Sequence, residues 1–183
     1  MCPILAPMGR AASSCRPTLC GTTFSTRRAS ISASGRSRSR SHASRCDVLR
    51  YMLDTNLCIR VLRDRPPALR PRFNAEADVL SISTVVLTEL MCGAEKSRKP
   101  VENRQEVLRF AARLEVLPFD DQAAAHAAEI RAALDRRGQM IGGYDVLIAG
   151  HARSRGLIVV TGNLGEFTRV EGLRSEDWLA AER

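Results

Sequence analysis

The chain has 183 residues and 44% apolar side chains, enough for one domain with a core and an appendage but not for a second full domain. No window reaches the roughly 18 uninterrupted apolar residues of a membrane span, which excludes a helical membrane protein and favours a cytosolic one. The formal charge of +8 resembles a nucleic-acid signature, but residues 1–47 hold eight Arg and one Asp, leaving 20 basic against 19 acidic side chains in the remainder. Any RNA affinity of that remainder must come from local patches.

Residues 1–47 are Ser/Arg-rich, as in Ser-Gly-Arg-Ser-Arg-Ser-Arg-Ser, and carry no period that could bury a face, so they are expected to be a disordered leader. Upstream translation, an Arg-rich transit peptide and a basic nucleic-acid arm all fit this composition. The first is favoured because the body, residues 48–183, begins abruptly with a complete strand, and Val48 or Met52 could each be a start. The body alternates short β-rich runs with longer helical stretches, the pattern of an α/β domain with a mainly parallel central sheet flanked by helices. The spacing predicts strands at 49–53, 78–82, 114–118 and 156–160, with an edge strand near 170–174. Helices are predicted at 54–65, 67–77, 84–96, 101–114, 121–138 and 144–155.

Four acidic residues stand out in this order of elements. Asp54 follows the first strand, Glu89 lies in an otherwise apolar helix, Asp145 begins the last long helix and Glu166 follows the strand at 156–160. Singly, each has an ordinary reading: Asp54 as a helix N-cap, Asp145 as a charge suited to a helix dipole, Glu89 as a solvated residue, Glu166 as no signal. Jointly they fall where one edge of a parallel sheet can collect them, beyond the carboxyl ends of its strands. Carboxylates gathered there repel one another unless a hard divalent cation accepts their oxygens, which implies a Mg²⁺-dependent phosphodiesterase.

Less informative residues fill out the reading. Cys58 and Cys92 sit in apolar segments without metal-ligand spacing and are expected to be buried free thiols, as in a reducing compartment. His151 lies about 240° round the helix from Asp145 and should point away from it. His126, in an Ala-rich helix, reads as a packing residue. The run Lys96-Ser97-Arg98-Lys99 reads as a solvated charged face rather than an RNA contact.

Residues 50–179 resemble the PIN-domain ribonucleases, and among them the VapC toxins of bacterial toxin–antitoxin pairs. The resemblance rests on Met-Leu-Asp-Thr-Asn at 52–56, Ser-Thr-Val-Val-Leu-Thr-Glu-Leu at 83–90 and Glu-Lys-Ser at 95–97. It continues through Leu-Glu-Val-Leu-Pro-Phe-Asp at 114–120, Asp-Val-Leu-Ile-Ala-Gly-His-Ala at 145–152 and Val-Thr-Gly-Asn-Leu-Gly-Glu-Phe at 160–167. It is closest to the branch described as cutting initiator tRNA. It implies a three-layer PIN-like fold and a toxic Mg²⁺-dependent endoribonuclease, with Mn²⁺ as a substitute metal. It also implies restraint by a VapB-type antitoxin, and homodimerisation. Asp54, Glu89, Asp145 and Glu166 correspond to the family's acidic quartet, with Asp54 and Asp145 as direct metal ligands. Thr55, Asn56, Thr161 and Asn163 would orient the carboxylates. The chain departs from the branch at Gly143, often Pro, and Tyr144, often Asn, and Asn163 holds a place that is acidic in some PIN domains. A non-catalytic PIN-like scaffold that binds RNA or protein is the rival reading. A haloacid-dehalogenase-type phosphatase is disfavoured because Asn56 stands where that chemistry needs a second Asp.

Overall fold

The computed structural model describes residues 49–179, so the expected leader lies outside the described residues. Five short strands, β1 (Tyr51–Leu53), β2 (Leu80–Ser83), β3 (Glu115–Leu117), β4 (Ile158–Val160) and β5 (Arg174–Glu176), form one sheet in the order β3-β2-β1-β4-β5. Every pairing is parallel, not merely most of them. β1, β2 and β4 are buried along their whole length; Tyr-Met-Leu and Ile-Val-Val accordingly read as continuous apolar runs, whereas β2, Leu-Ser-Ile-Ser, buries two serines as well.

Seven α-helices lie among the described residues: α1 (Thr55–Leu62), α2 (Leu69–Ala75), α3 (Thr84–Glu95), α4 (Pro100–Ala111), α5 (Asp121–Arg136), α6 (Gly143–Ser154) and α7 (Leu164–Phe167). α5 packs along α6, and α3 along α4. The α5–α6 contact is close: a Cβ on Gly150 would stand 2.5 Å from the Ala127 amide nitrogen. Gly138 and Gly156, at φ of 62° and 65°, end α5 and α6 in the left-handed region that glycine enters without a steric penalty. No helix among the described residues is long and apolar enough to cross a membrane.

The predicted elements are recovered with shifted ends. The strand expected at 78–82 starts at Leu80, because Ala77–Val79 form a 3₁₀ turn that delivers the chain into it. The helix expected from Pro67 starts at Leu69, and the one expected to run to Leu114 stops at Ala111. The edge strand expected near 170–174 lies at Arg174–Glu176, since the chain is still turning at 171–172. Helix α7 falls in a stretch expected to be loop.

Strand register sets the site. Leu53 pairs with Val160, so the next residues, Asp54 and Thr161, leave the sheet side by side. From β1 the chain moves to β2 and β3 on one side, whereas β4 and β5 lie on the other. The strand order therefore reverses between β1 and β4, the kind of crevice where parallel sheets bind ligands.

Candidate active site

Asp54 is the first residue beyond β1 and only 1% exposed. It occupies the N-cap position of α1, with φ −76° and ψ 154°, but its side chain makes no capping hydrogen bond. Instead Oδ2 accepts a 2.8 Å hydrogen bond from Thr161 Oγ1. Thr161 is itself fully buried, and its hydroxyl oxygen accepts the Asn163 amide at 2.9 Å. The hydroxyl proton is thereby committed to Asp54. Burial raises the Asp54 pKa, opposed by the Thr161 hydroxyl and the Thr55 and Asn56 amides, while the charge of Glu89 raises it further.

Glu89 reaches the same edge from α3. Its Oε2 accepts a 2.6 Å hydrogen bond from Thr55 Oγ1, the residue after Asp54, so α1 and α3 are tied together beside the buried carboxylate. Ser83 starts α3 by accepting the Val85 amide at 3.1 Å.

Asp145 lies in the first turn of α6, and Glu166 lies in α7 beside Phe167, whose fully buried ring pins that short helix. The two carboxyl groups hydrogen-bond to each other. Burial, then the bond to Glu166, then the charges of Asp54, Glu166 and Glu89 push the Asp145 pKa up to about 7. Glu166 moves the other way, lowered first by the bond from Asp145 and next by the Gly142 amide, with Asn163 and Arg169 adding to it. Gly142 N donates to Glu166 Oε2 at 3.1 Å. The two carboxyls titrate as one pair across their shared hydrogen bond, with Asp145 shifted up and Glu166 down.

Asp145 thus feels the other three acids and Asp54 feels Glu89, as convergence on one edge requires. No Lys, Arg or His among the described residues forms an ion pair with any of them, whereas Asp64, Asp120 and Glu129 each have an Arg at 2.6 to 2.7 Å. Nor are three acidic, His or Cys side chains among the described residues drawn tightly enough around one point to hold an ion as they stand. Asp145 and Glu166 meet through a proton instead. A set of hard oxygen donors, partly buried, with no ion pair among the described residues and with two members joined through a proton, is chemically suited to a divalent metal that would replace that proton.

The orienting residues divide unevenly. Thr55 and Thr161 each hold a carboxylate by a side-chain hydroxyl. Asn163 serves twice, through its amide to Thr161 and its side chain to Glu166. Asn56 departs from expectation: its side chain is exposed, and only its amide favours the Asp54 charge.

Three further expectations change. Cys58 is buried, with its thiol pKa raised by burial and by Asp54, but Cys92 is exposed on α3, on a side not covered by a neighbouring helix. His126 is no plain packing residue: its Nδ1 accepts from Arg153 Nε at 2.9 Å, and Arg153 also binds Glu129. His151 does point away from Asp145, into the core, where Nδ1 meets Ser83 Oγ at 2.9 Å and the ring stands edge-on to Phe119. Gly142 was not foreseen. A pair of glycines before a helix is an ordinary loop signal, and nothing local marks one of them as touching both Asp145 and Glu166.

The profile of the PIN domain matches residues 51–173, about two thirds of the chain. The chain is 50% identical over 131 residues to the tRNA(fMet)-specific endonuclease VapC of Shigella flexneri, covering 72% of this chain and 99% of that protein. The chain belongs to the VapC branch of the PIN-domain family. This PIN domain is also 45% identical over 132 residues to ribonuclease VapC2 of Haemophilus influenzae strain Rd, covering 72% of this chain and all of that one. Among solved structures it resembles the DNA-bound VapBC of Salmonella typhimurium, with a TM-score of 0.69 and 52% identity over 71% of this chain and 98% of that chain. It also resembles VapBC2 of Rickettsia felis bound to a promoter DNA fragment, with a TM-score of 0.67 and 34% identity.

Proposed function

We propose that this VapC-branch protein is the toxin of a toxin–antitoxin pair, a Mg²⁺-dependent endoribonuclease that hydrolyses phosphodiester bonds in tRNA. Initiator tRNA is the substrate of choice, as for its Shigella and Salmonella relatives, which are tRNA(fMet)-specific endonucleases. The observation that carries the reading is Asp145, whose carboxyl is pushed up to about 7 by burial, by its bond to Glu166 and by the charges of three other acids, with no ion pair to it among the described residues. Asp54 and Asp145 would hold the metal, Mg²⁺ or its substitute Mn²⁺. When bound, the ion supplies Lewis acidity that withdraws charge from a phosphoryl oxygen and lowers the pKa of a water.

The remaining chemistry belongs to side chains. Glu166, kept ionised by the Gly142 amide and Asn163, and Glu89, steadied by Thr55, orient the attacking water. Thr161 fixes the Asp54 carboxylate in one rotamer by committing its proton there. The water oxygen bonds to phosphorus as it gives up a proton, the bond from phosphorus to the ribose oxygen breaks, and the departing oxygen takes a proton from solvent, which leaves a phosphate monoester and a free hydroxyl.

Such an enzyme needs restraint inside the cytoplasm that makes it. Its partner is a VapB-type antitoxin, as in the VapBC complexes of its relatives. An Arg from that partner satisfies the carboxylates in place of metal. The toxin itself is a homodimer.

Purified protein freed of antitoxin is expected to cut initiator tRNA with Mg²⁺ and to stop with chelator. Asp145→Asn is expected to lose roughly 100-fold or more in rate while keeping its fold. Asp145→Asn protein cutting at the parental rate would refute the assignment. RNA binding without any metal-dependent cutting would identify a non-catalytic scaffold instead.

A further inference from the structure

We propose that Gly142 is a positioning residue that seats Asp145 and Glu166 together, and that it is a glycine to leave room for the Asp145 carboxylate. The inference rests on the reading of Asp145 and Glu166 as part of the metal site. Backbone conformation does not require glycine here. Residue 142 has φ −53° and ψ 143°, an extended geometry open to any amino acid.

Space requires it instead. A Cβ on Gly142 would stand 2.5 Å from Asp145 Oδ2, 3.3 Å from Asp145 Cγ and 3.6 Å from Glu166 Oε2. The volume of the missing side chain is filled by one carboxylate, and the amide of the same residue donates to the other at 3.1 Å. One backbone unit thus meets both acids. The adjacent Gly143 offers the internal comparison, since nothing lies within 4 Å of where its Cβ would be.

The clash is with the far end of a movable side chain, not with backbone. An alanine at 142 is therefore relieved by swinging the Asp145 carboxylate away, so the fold persists while the seating of the pair is lost. Metal affinity falls with it, because a ligand held off its place must be brought back when the ion binds.

The test uses the full chain as parent, Gly142→Ala and Gly143→Ala. Metal-free crystal structures, thermal unfolding without metal, Mg²⁺ calorimetry and tRNA cutting are read on each. Gly142→Ala is expected to unfold near the parental temperature, to show Asp145 displaced from Glu166, to bind Mg²⁺ roughly 10- to 100-fold more weakly and to cut correspondingly less. Gly143→Ala is expected to match the parent throughout. Gly142→Ala with Asp145 in its parental place, or with parental Mg²⁺ affinity, overturns the proposal. So does collapse of its fold, since the clash would then fall on more than a side chain. If the parent binds no Mg²⁺ and cuts no RNA, the nuclease reading fails, whereas the metal-free structures still decide the role of Gly142.

Discussion

Two aspartates in this protein occupy the same local position and have opposite fates. Asp120 and Asp54 are both N-cap residues after a strand, at the starts of α5 and α1. Asp120 caps: its Oδ1 accepts the Ala123 amide at 2.9 Å and its Oδ2 an Arg155 guanidinium at 2.7 Å, and the Ala123 amide foremost, then Arg155, lower its pKa. Asp54 makes no side-chain capping hydrogen bond, has no ion pair among the described residues, and has its pKa raised by burial. The same contrast runs along α6, which carries Asp145 among unpaired acids at its start and Arg153 paired with Glu129 near its end. Where a carboxylate serves the fold, the chain supplies its counter-charge. At the acidic edge the described residues supply mainly hydroxyls and amides that orient charge, an arrangement that suits the cation proposed above.

The comparison can be broken most sharply by exchanging the two aspartates' roles. Asp54→Asn is expected to lose roughly 100-fold or more in tRNA cutting with an unfolding temperature equal to or above the parent's, since a destabilised buried charge has gone. Asp120→Ala is expected to do the reverse, keeping activity per folded molecule while unfolding at a lower temperature. Cutting assays and calorimetry on the two variants side by side decide it, and equal losses of activity would erase the distinction.

Next in size is the effect of pH. A carboxyl whose pKa is raised on folding binds its proton more tightly in the native state, so it costs stability as pH rises above the unfolded value near 4 and through the folded value, about 7 for Asp145. In metal-free protein the stability difference between Asp145→Asn and parent is therefore expected to widen between pH 5 and 8, in favour of the variant. Mg²⁺ is expected to raise the parental unfolding temperature more at pH 8 than at pH 5. A difference that stays flat across that range would show that Asp145 does not carry the shared proton.

The smallest expected effect lies just outside the acidic edge. Ser83→Ala removes the cap of α3 and the partner of His151 Nδ1, whose Nε2 already has no hydrogen-bond partner among the described residues. The expected cost is about 1–3 kcal/mol, read by urea unfolding. No measurable loss would mean that His151 finds another donor or acceptor in the core.

Much of this arrangement was legible before any coordinates. Continuous apolar runs marked β1 and β4, glycines marked the ends of α5 and α6, and three of the four acids fell after a strand or at a helix start. The four-residue α7 was not legible, because it is too short to show a period. β5, Arg-Ser-Glu, was misplaced because it has no apolar alternation to mark it. The partners of His126 were invisible for a different reason: Arg153 is 27 residues away. Exposure of Cys92 likewise depends on which side of α3 is left uncovered, which the helix's nearly all-round apolar sequence does not declare.

Sequence alone determined most of the longer elements and where the carboxylates fall among them, because periodicity, caps and turn residues act across only a few positions. Tertiary structure alone decided that Asp54 would forgo capping for a hydroxyl 107 residues along the chain, and that Asp145 would feel three distant charges at once. It also decided that the space beside Gly142 would be filled by a carboxylate. Burial and electrostatic fields depend on distance through space, and strand register is what made those distances short.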